Sequence, residues 1–414
     1  MNPRLFGCCT SLVDDILVVG TPSISKKGSV HTYKLSDRDV VEIGEPLLAY
    51  DGHSDDGFGI SCKLFSKSQS ELFLIVGAHR KTDMSISTGA AYIYSSSDFG
   101  KKWEYVEKLQ PVTKTHKSFF GCAVDINNTT AIVGAYGDNT EGWRVGSVSI
   151  FSKNEQLKKW DCVKTLVPSS FSSSVPPAAP PASINNSCYY FGFSLALSEK
   201  FIVVGAPSER KSGSTYLFHT KDTWSSNDIM SHKISGVNNF GFSVTMFGDQ
   251  IVIGSPGQDG VPGKTFIYNI SNFFDASIGF LPASNHHNNC NTITTKSKSS
   301  KALFGRDVSI YDDLLLVSGF GKNEDEFIGS AFLYIRNNSD ETDSEPVACL
   351  RDSEASQLFG HSVCLNDKFV VIGDPAVNNV HIYNVNTIMN GNSQRWSNSS
   401  HVIKAPQEYL LEIN

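Results

Sequence analysis

Apolar and polar positions along the chain follow a cycle that recurs seven times. Each cycle opens on a Phe-Gly pair: Phe6-Gly7, Phe58-Gly59, Phe120-Gly121, Phe191-Gly192, Phe240-Gly241, Phe304-Gly305 and Phe359-Gly360. The pair leads into an alternating run, such as Phe193-Ser194-Leu195-Ala196-Leu197, and then a short polar turn, such as Ser198-Glu199-Lys200. A continuous apolar run ending in Gly comes next: Ile16 to Gly20, Leu72 to Gly77, Ala131 to Gly134, Phe201 to Gly205, Ile251 to Gly254, Leu314 to Gly319 and Phe369 to Gly373. A polar loop then leads to a third run with Gly near its start and an aromatic residue near its end, as in Gly28 and Tyr33, Gly146 and Phe151, or Gly213 and Phe218. In the seventh cycle Asn378-Asn379 replaces that Gly. A fourth segment often opens with Trp: Trp103, Trp160, Trp224 and Trp396.

Period-two alternation marks a strand buried on one face, and an uninterrupted apolar run marks a strand covered on both. The turns Asp14-Asp15, Gly248-Asp249, Asp312-Asp313 and Asn366-Asp367 carry hairpin chemistry. No helical period stands out. Each cycle therefore predicts four antiparallel strands. One such sheet leaves its apolar faces in water, and stacking the sheets around a ring buries them. The expected fold is all-β: a seven-bladed β-propeller with blades largely contiguous in sequence, forming one domain over residues 1–414. The length alone, at roughly 150 residues per domain, would have suggested two or three. The blades are expected near 1–50, 51–111, 112–167, 183–230, 231–282, 299–350 and 351–406, with inserted loops at 168–189 and 283–301 and a tail at 407–414.

The pattern resembles the FG-GAP repeats of integrin-alpha-type propellers, most closely in Phe191-Gly192 followed by Val204-Gly205-Ala206-Pro207. Cycles one, five and seven keep the Pro (Pro22, Pro256, Pro375), while cycles two and three keep the Ala (Ala78, Ala135). Ser318-Gly319-Phe320 in cycle six is the most divergent. The resemblance implies a protein-interaction or adhesion module that binds through rim loops, and an extracellular or surface tendency. Two departures stand out. Integrin-type blades carry a long acidic calcium loop between their first two strands, whereas the turns here are too short to supply six to eight oxygen ligands. No metal or cofactor is therefore expected. Nor does an added N-terminal strand complete the last blade, because only Met1 to Leu5 precede the first Phe-Gly. Closure is expected to rest on packing between blades one and seven, with Tyr409, Leu410, Leu411 and Ile413 as candidates to seal that joint.

Composition narrows the function. The formal net charge of -7 argues against a general nucleic-acid binder. No run of 18 apolar residues is present, so no transmembrane segment is expected. The first residues show no signal-peptide pattern, which conflicts with the surface tendency of the resemblance and leaves localisation open. The nine Cys are unevenly spaced, and several lie in the first strands (Cys8, Cys62, Cys122, Cys364); they read as small core residues rather than a disulfide framework. His286, His287 and Cys290 make a weak zinc set with no fourth ligand.

The loops joining second to third strands share a rim with the blade-to-blade connections, and binding residues concentrate on such loops. The most distinctive is Gly137 to Val145, which offers Asp138, Glu141, Trp143 and Arg144. A Trp beside an Arg suits an interaction hot spot or a sugar-stacking platform. The alternative is that Trp143 folds back over its own loop. Arg80, Lys81 and Asp83 occupy the equivalent loop of blade two, and Lys322 to Glu326 that of blade six, as a solvated acidic turn. Asp51, Asp55 and Asp56 read as a solvated turn as well. No nucleophile elbow, zinc-protease motif or phosphate-cradling glycine loop is present, so the chain is not expected to be an enzyme. The leading expectation is a non-catalytic module binding a protein partner. The alternatives are a carbohydrate-binding propeller and a structural part of a larger particle or surface layer.

Overall fold

The computed structural model describes residues 5–23, 27–68, 70–83, 85–168, 188–257, 261–275, 277, 279–281, 290–294, 303–323, 326–336, 345–352, 355–390 and 399–406. Seven four-stranded antiparallel sheets succeed one another along the chain. Their first strands are Cys9–Val13, Phe58–Ser66, Val124–Ile126, Ser194–Leu197, Ser243–Phe247, Val308–Tyr311 and Ser362–Leu365. Each first strand packs against the first strands of both neighbouring sheets, and that of blade seven packs against that of blade one. The result is a closed seven-bladed propeller with the first strands around its axis. No helix among the described residues is long and apolar enough to cross a membrane.

The buried apolar side chains of the described residues fall into seven clusters, and each lies between two adjacent blades. Every Phe of the seven Phe-Gly pairs sits in one of them, at most 1% exposed. Burying one such ring contributes on the order of 2 kcal/mol. The Gly that follows adopts φ between +84° and +90° in every blade. Only Gly holds that conformation without strain. In six joints its carbonyl lies directly against the Gly that ends the second strand of the preceding blade: Gly20 on Gly59, Gly77 on Gly121, Gly134 on Gly192, Gly205 on Gly241, Gly254 on Gly305 and Gly373 on Gly7. Four serines two places after the Phe-Gly pair clasp that same carbonyl from the preceding blade: Ser61 to Gly121 at 2.8 Å, Ser194 to Gly241 at 2.9 Å, Ser243 to Gly305 at 3.1 Å and Ser362 to Gly7 at 2.9 Å.

Blade seven is built from Ser362–Leu365, Phe369–Asp374, Asn379–Asn384 and His401–Lys404, and among the described residues no strand from the start of the chain joins it. Its joint with blade one is fastened by the Asn378 side chain, whose Oδ1 accepts the Phe6 N–H at 3.1 Å. Asn378 has φ +56°, a conformation that Asn tolerates, so it can stand where other blades place Gly. The residues 409–413 proposed to seal this joint lie outside the described residues, as does most of the inserted loop 168–189.

Several expectations need correction. In blade six the residue at the strand-ending glycine position is Ser318, not Gly319: the Gly305 N–H bonds the Ser318 carbonyl at 2.8 Å, as Gly121 bonds Gly134. Gly319 imitates the motif glycine one residue farther along the apolar run. In blade five the outer strand is Asn291–Thr294, inside the segment read as the insertion 283–301. Its polar sequence hid it, since an outer strand needs only one covered face. In blade six the hairpin continues to Asn323 opposite Glu326, where a loop was expected. The acidic turn at 51–56 is partly interior: Asp56 is 4% exposed and accepts from the buried Lys81 Nζ at 2.9 Å.

Candidate functional site

The antiparallel strand order places the second-to-third loops on the same rim as the Phe-Gly pairs. On this rim the loop of blade three is held from beneath by Asp138. That carboxylate is 8% exposed and accepts from Thr115 Oγ1 at 3.0 Å, Thr140 N at 3.0 Å, Thr140 Oγ1 at 2.7 Å and Ser147 Oγ at 2.6 Å. Asp138 therefore shapes the loop, its oxygens taken up by the protein's own donors. Its side chain, with that of Glu141, borders a cavity of about 330 Å³ flanked by Pro111, Val112 and Lys164.

Farther along the loop, Arg144 adopts φ +48° and donates its N–H to Asn139 Oδ1 at 2.7 Å. Its carbonyl accepts the N–H groups of Tyr189 and Tyr190 at 3.1 and 3.3 Å, tying the loop to blade four. The Arg144 guanidinium lies over the Trp143 ring at 5.5 Å and donates to the Tyr190 hydroxyl at 3.4 Å. The Tyr190 contact holds the Arg144 pKa above its ordinary value. Trp143 is 59% exposed and does not cover its own loop.

The sequence reading missed what lies beside this pair. A continuous arc of half-buried rings runs across the same rim. His79 packs on Phe119 (5.9 Å) and Phe119 stacks on Tyr136 (5.0 Å), which meets Tyr190 (5.4 Å) and Phe193 (5.6 Å); Phe193 continues to Phe242 (4.9 Å). Arg306 closes the arc over Phe242 at 5.5 Å. These residues flank the Phe-Gly pairs or follow the Gly-Ala turns. The doubled aromatics Phe119-Phe120, Tyr189-Tyr190-Phe191 and Phe240-Gly241-Phe242 were the available signal. Enclosure, and then the charge of Arg80, lowers His79 from 6.5 to about 4, so the ring is neutral at physiological pH.

The blade-two loop is divided between structure and surface. Arg80 is exposed. Asp83 accepts from Lys114 Nζ at 2.6 Å and Gln110 Nε2 at 3.2 Å, and the Lys114 bond lowers its pKa. Lys81 is buried in a network with Asp56 and Asp51, which also accepts from Lys108 Nζ at 2.7 Å and the Tyr92 hydroxyl at 2.7 Å. Blade four repeats the device: the buried Glu209 accepts from Tyr216 at 2.8 Å and Lys233 at 2.5 Å. These carboxylates are consumed by the loops' own architecture. The candidate residues thus separate. Trp143 and Arg144 come together with the aromatic arc, whereas Asp138 and Asp83 are occupied within the protein.

On the opposite rim the axis opens as a funnel of about 980 Å³ bordered by Lys63, Asp125, Asn127 and Met246. Among the described residues no group of three or more His, Cys, Asp or Glu side chains is placed to hold a metal ion. His286 and His287 lie outside the described residues.

Seven radially packed four-stranded sheets define the chain as a β-propeller. Within it, residues 103–151 match the FG-GAP repeat family, a stretch that includes Phe120-Gly121, Gly134-Ala135 and the Trp143 loop. No curated protein matches the sequence. Among solved structures, Hsv2 of K. marxianus is similar at 10% identity, with 98% of this chain and 100% of that one covered and a TM-score of 0.53. A protein described as a putative 6-phosphogluconolactonase from Bacteroides uniformis is similar at 12% identity, with 94% and 99% covered and a TM-score of 0.56. At such identities the shared property is the fold.

Proposed function

We propose that this protein is a non-catalytic interaction module whose Phe-Gly rim binds a protein partner, with Trp143 and Arg144 at the centre of the contact. One observation carries the reading: a Trp 59% exposed, braced by an Arg that is itself fixed to the next blade. Side chains held this way lose little entropy on binding, and Trp and Arg dominate interface hot spots. The aromatic arc extends the same surface towards the axis and supplies the apolar area that a partner would cover. Buried acidic residues beneath the loops keep them in shape without competing for the partner.

The test is affinity capture from the native source with the wild type, Trp143→Ala and Arg144→Ala, followed by titration of the identified partner. Leu157→Ala serves as a control, because Leu157 is 65% exposed in a third-to-fourth turn on the opposite rim. Loss of at least tenfold in affinity for the two rim variants, and none for the control, is expected. Equal binding by all four proteins would end this reading. Release of mixed glycoproteins by free sugar would replace it with the carbohydrate-binding alternative.

A further inference from the structure

We propose that Cys9 and Cys62 form a thiol pair that closes, under oxidation by a small-molecule disulfide such as oxidised glutathione, into a staple between blades one and two. The two sulfurs lie 3.0 Å apart although the residues are 53 positions apart in sequence. That contact is a product of the fold's register. Cys9 stands two places after its Phe-Gly pair, where four other blades have the clasping serines, and its Sγ likewise meets the carbonyl of the next blade's Gly59 at 3.2 Å. Cys62 stands three places after its own pair, where blades three, five, six and seven have Val124, Val244, Val308 and Val363. The same two positions also meet where the ring closes. At the closing joint they are Ser362 and Thr10, whose hydroxyls are 3.3 Å apart. At the joint between blades one and two both positions are thiols.

A disulfide needs the sulfurs to close from this contact to about 2.05 Å, a movement within reach of side-chain rotation. The chemistry balances as two exchanges. One sulfur of the pair gives up its proton, attacks the reagent and releases one small thiol; the other then gives up its proton and displaces the second. Two protein thiols become one disulfide, and the reagent is reduced to two thiols. Burial first, and then the neighbouring Cys62, raises the Cys9 pKa well above 9.0, so the reaction is slow and calls for incubation over hours. The product closes nearly all of blade one into a covalent loop attached to blade two.

The test uses the full chain, incubated with oxidised glutathione, alkylated and mapped as peptides without reduction. Expected results are one cross-linked pair joining Cys9 to Cys62, a thiol count that falls by two from nine, and a melting temperature raised by roughly several degrees and restored by dithiothreitol. Cys9→Ser and Cys62→Val install residues that the other blades already use, so both should fold and neither should gain stability on oxidation. Three results would overturn the inference: all nine thiols persisting in folded protein whose thiols oxidise once it is unfolded, Cys9 joined to Cys8, or a gain in melting temperature that survives in Cys9→Ser.

Discussion

The joint between blades three and four and the joint between blades seven and one solve one problem by different means. Both bury a Phe of the repeat completely, Phe191 in the first and Phe6 in the second, and both set a Gly carbonyl against a Gly, Gly192 on Gly134 and Gly7 on Gly373. The polar fastening differs. Between blades three and four the Phe N–H is taken by backbone, Phe191 bonding the Val145 carbonyl at 3.0 Å, while side chains add the Leu197 N–H to Asp125 at 2.9 Å and Asn127 Nδ2 to the Ser198 carbonyl at 3.4 Å. At the closing joint a side chain takes the Phe N–H instead. Asn378 receives Phe6, Asn366 Nδ2 donates to the Asp14 carbonyl at 2.6 Å, and Asn384 Nδ2 donates to Asp37 at 2.8 Å. The apolar core and the glycine contact are the fixed parts of a joint; the hydrogen bonds are interchangeable.

If that is so, emptying either core should be equally damaging. Phe191→Ala and Phe6→Ala are each expected to cost about 3–5 kcal/mol in urea unfolding. A much smaller loss for Phe6→Ala would show that the closing joint is not a true equivalent. Asn378→Ala comes next, at about 2 kcal/mol, because it leaves the Phe6 N–H without its acceptor and forces Ala to a positive φ. Asn378→Gly removes only the acceptor and should cost about half as much. The ratio of these two losses separates hydrogen bond from backbone strain.

Acid sharpens the comparison further. Enclosure lowers His361, which faces the Cys8 carbonyl across the closing joint, from 6.5 to about 4, and lowers His79 similarly. Between those values the unfolded chain holds more protons than the folded one, so stability is lost as pH falls from about 6.5 towards 4. Asp307 acts in the opposite sense. Desolvation pushes it up from 3.8 to about 7, so its proton is retained in the folded state and its contribution is lost as pH rises through that window. His361→Gln should flatten the acid loss seen by thermal melting, and Asp307→Asn should steepen it. The smallest expected effect on stability is that of Trp143→Ala, within about 0.5 kcal/mol, since the side chain is exposed. A larger destabilisation would mean that Trp143 belongs to the joint between blades three and four rather than to a binding surface.

The ring itself was legible in the sequence because its determinants are local and repeated. A Phe that must be buried and a Gly that must adopt positive φ recur at fixed places, and seven recurrences exclude chance. Legibility failed where a residue did the motif's work under another name. Ser318 takes a glycine's place in blade six, and its hydroxyl receives the Asp307 N–H at 3.0 Å. Asn291–Thr294 forms an outer strand from residues that carry no apolar pattern. The site was less legible still. Trp143 and Arg144 were singled out from one loop, but the arc from His79 to Phe242 gathers residues from four blades, and no single repeat contains it. Asp138 looked like a partner-facing acid because a sequence cannot show that four donors already surround it.

Asn378 holds one further consequence. Its side chain receives the N–H of Phe6, and its own carbonyl receives the N–H of Ala405 at 3.0 Å, so residues close to the first and last described positions of the chain meet on one residue. A short peptide tether is enough to join them. With that tether in place the sequence has no privileged starting point, and the chain can be reopened elsewhere, for instance in the connection between blades six and seven. Such a circular permutant keeps all seven cores and should fold to the same ring, whereas a chain shortened by one blade would bare two apolar faces at once.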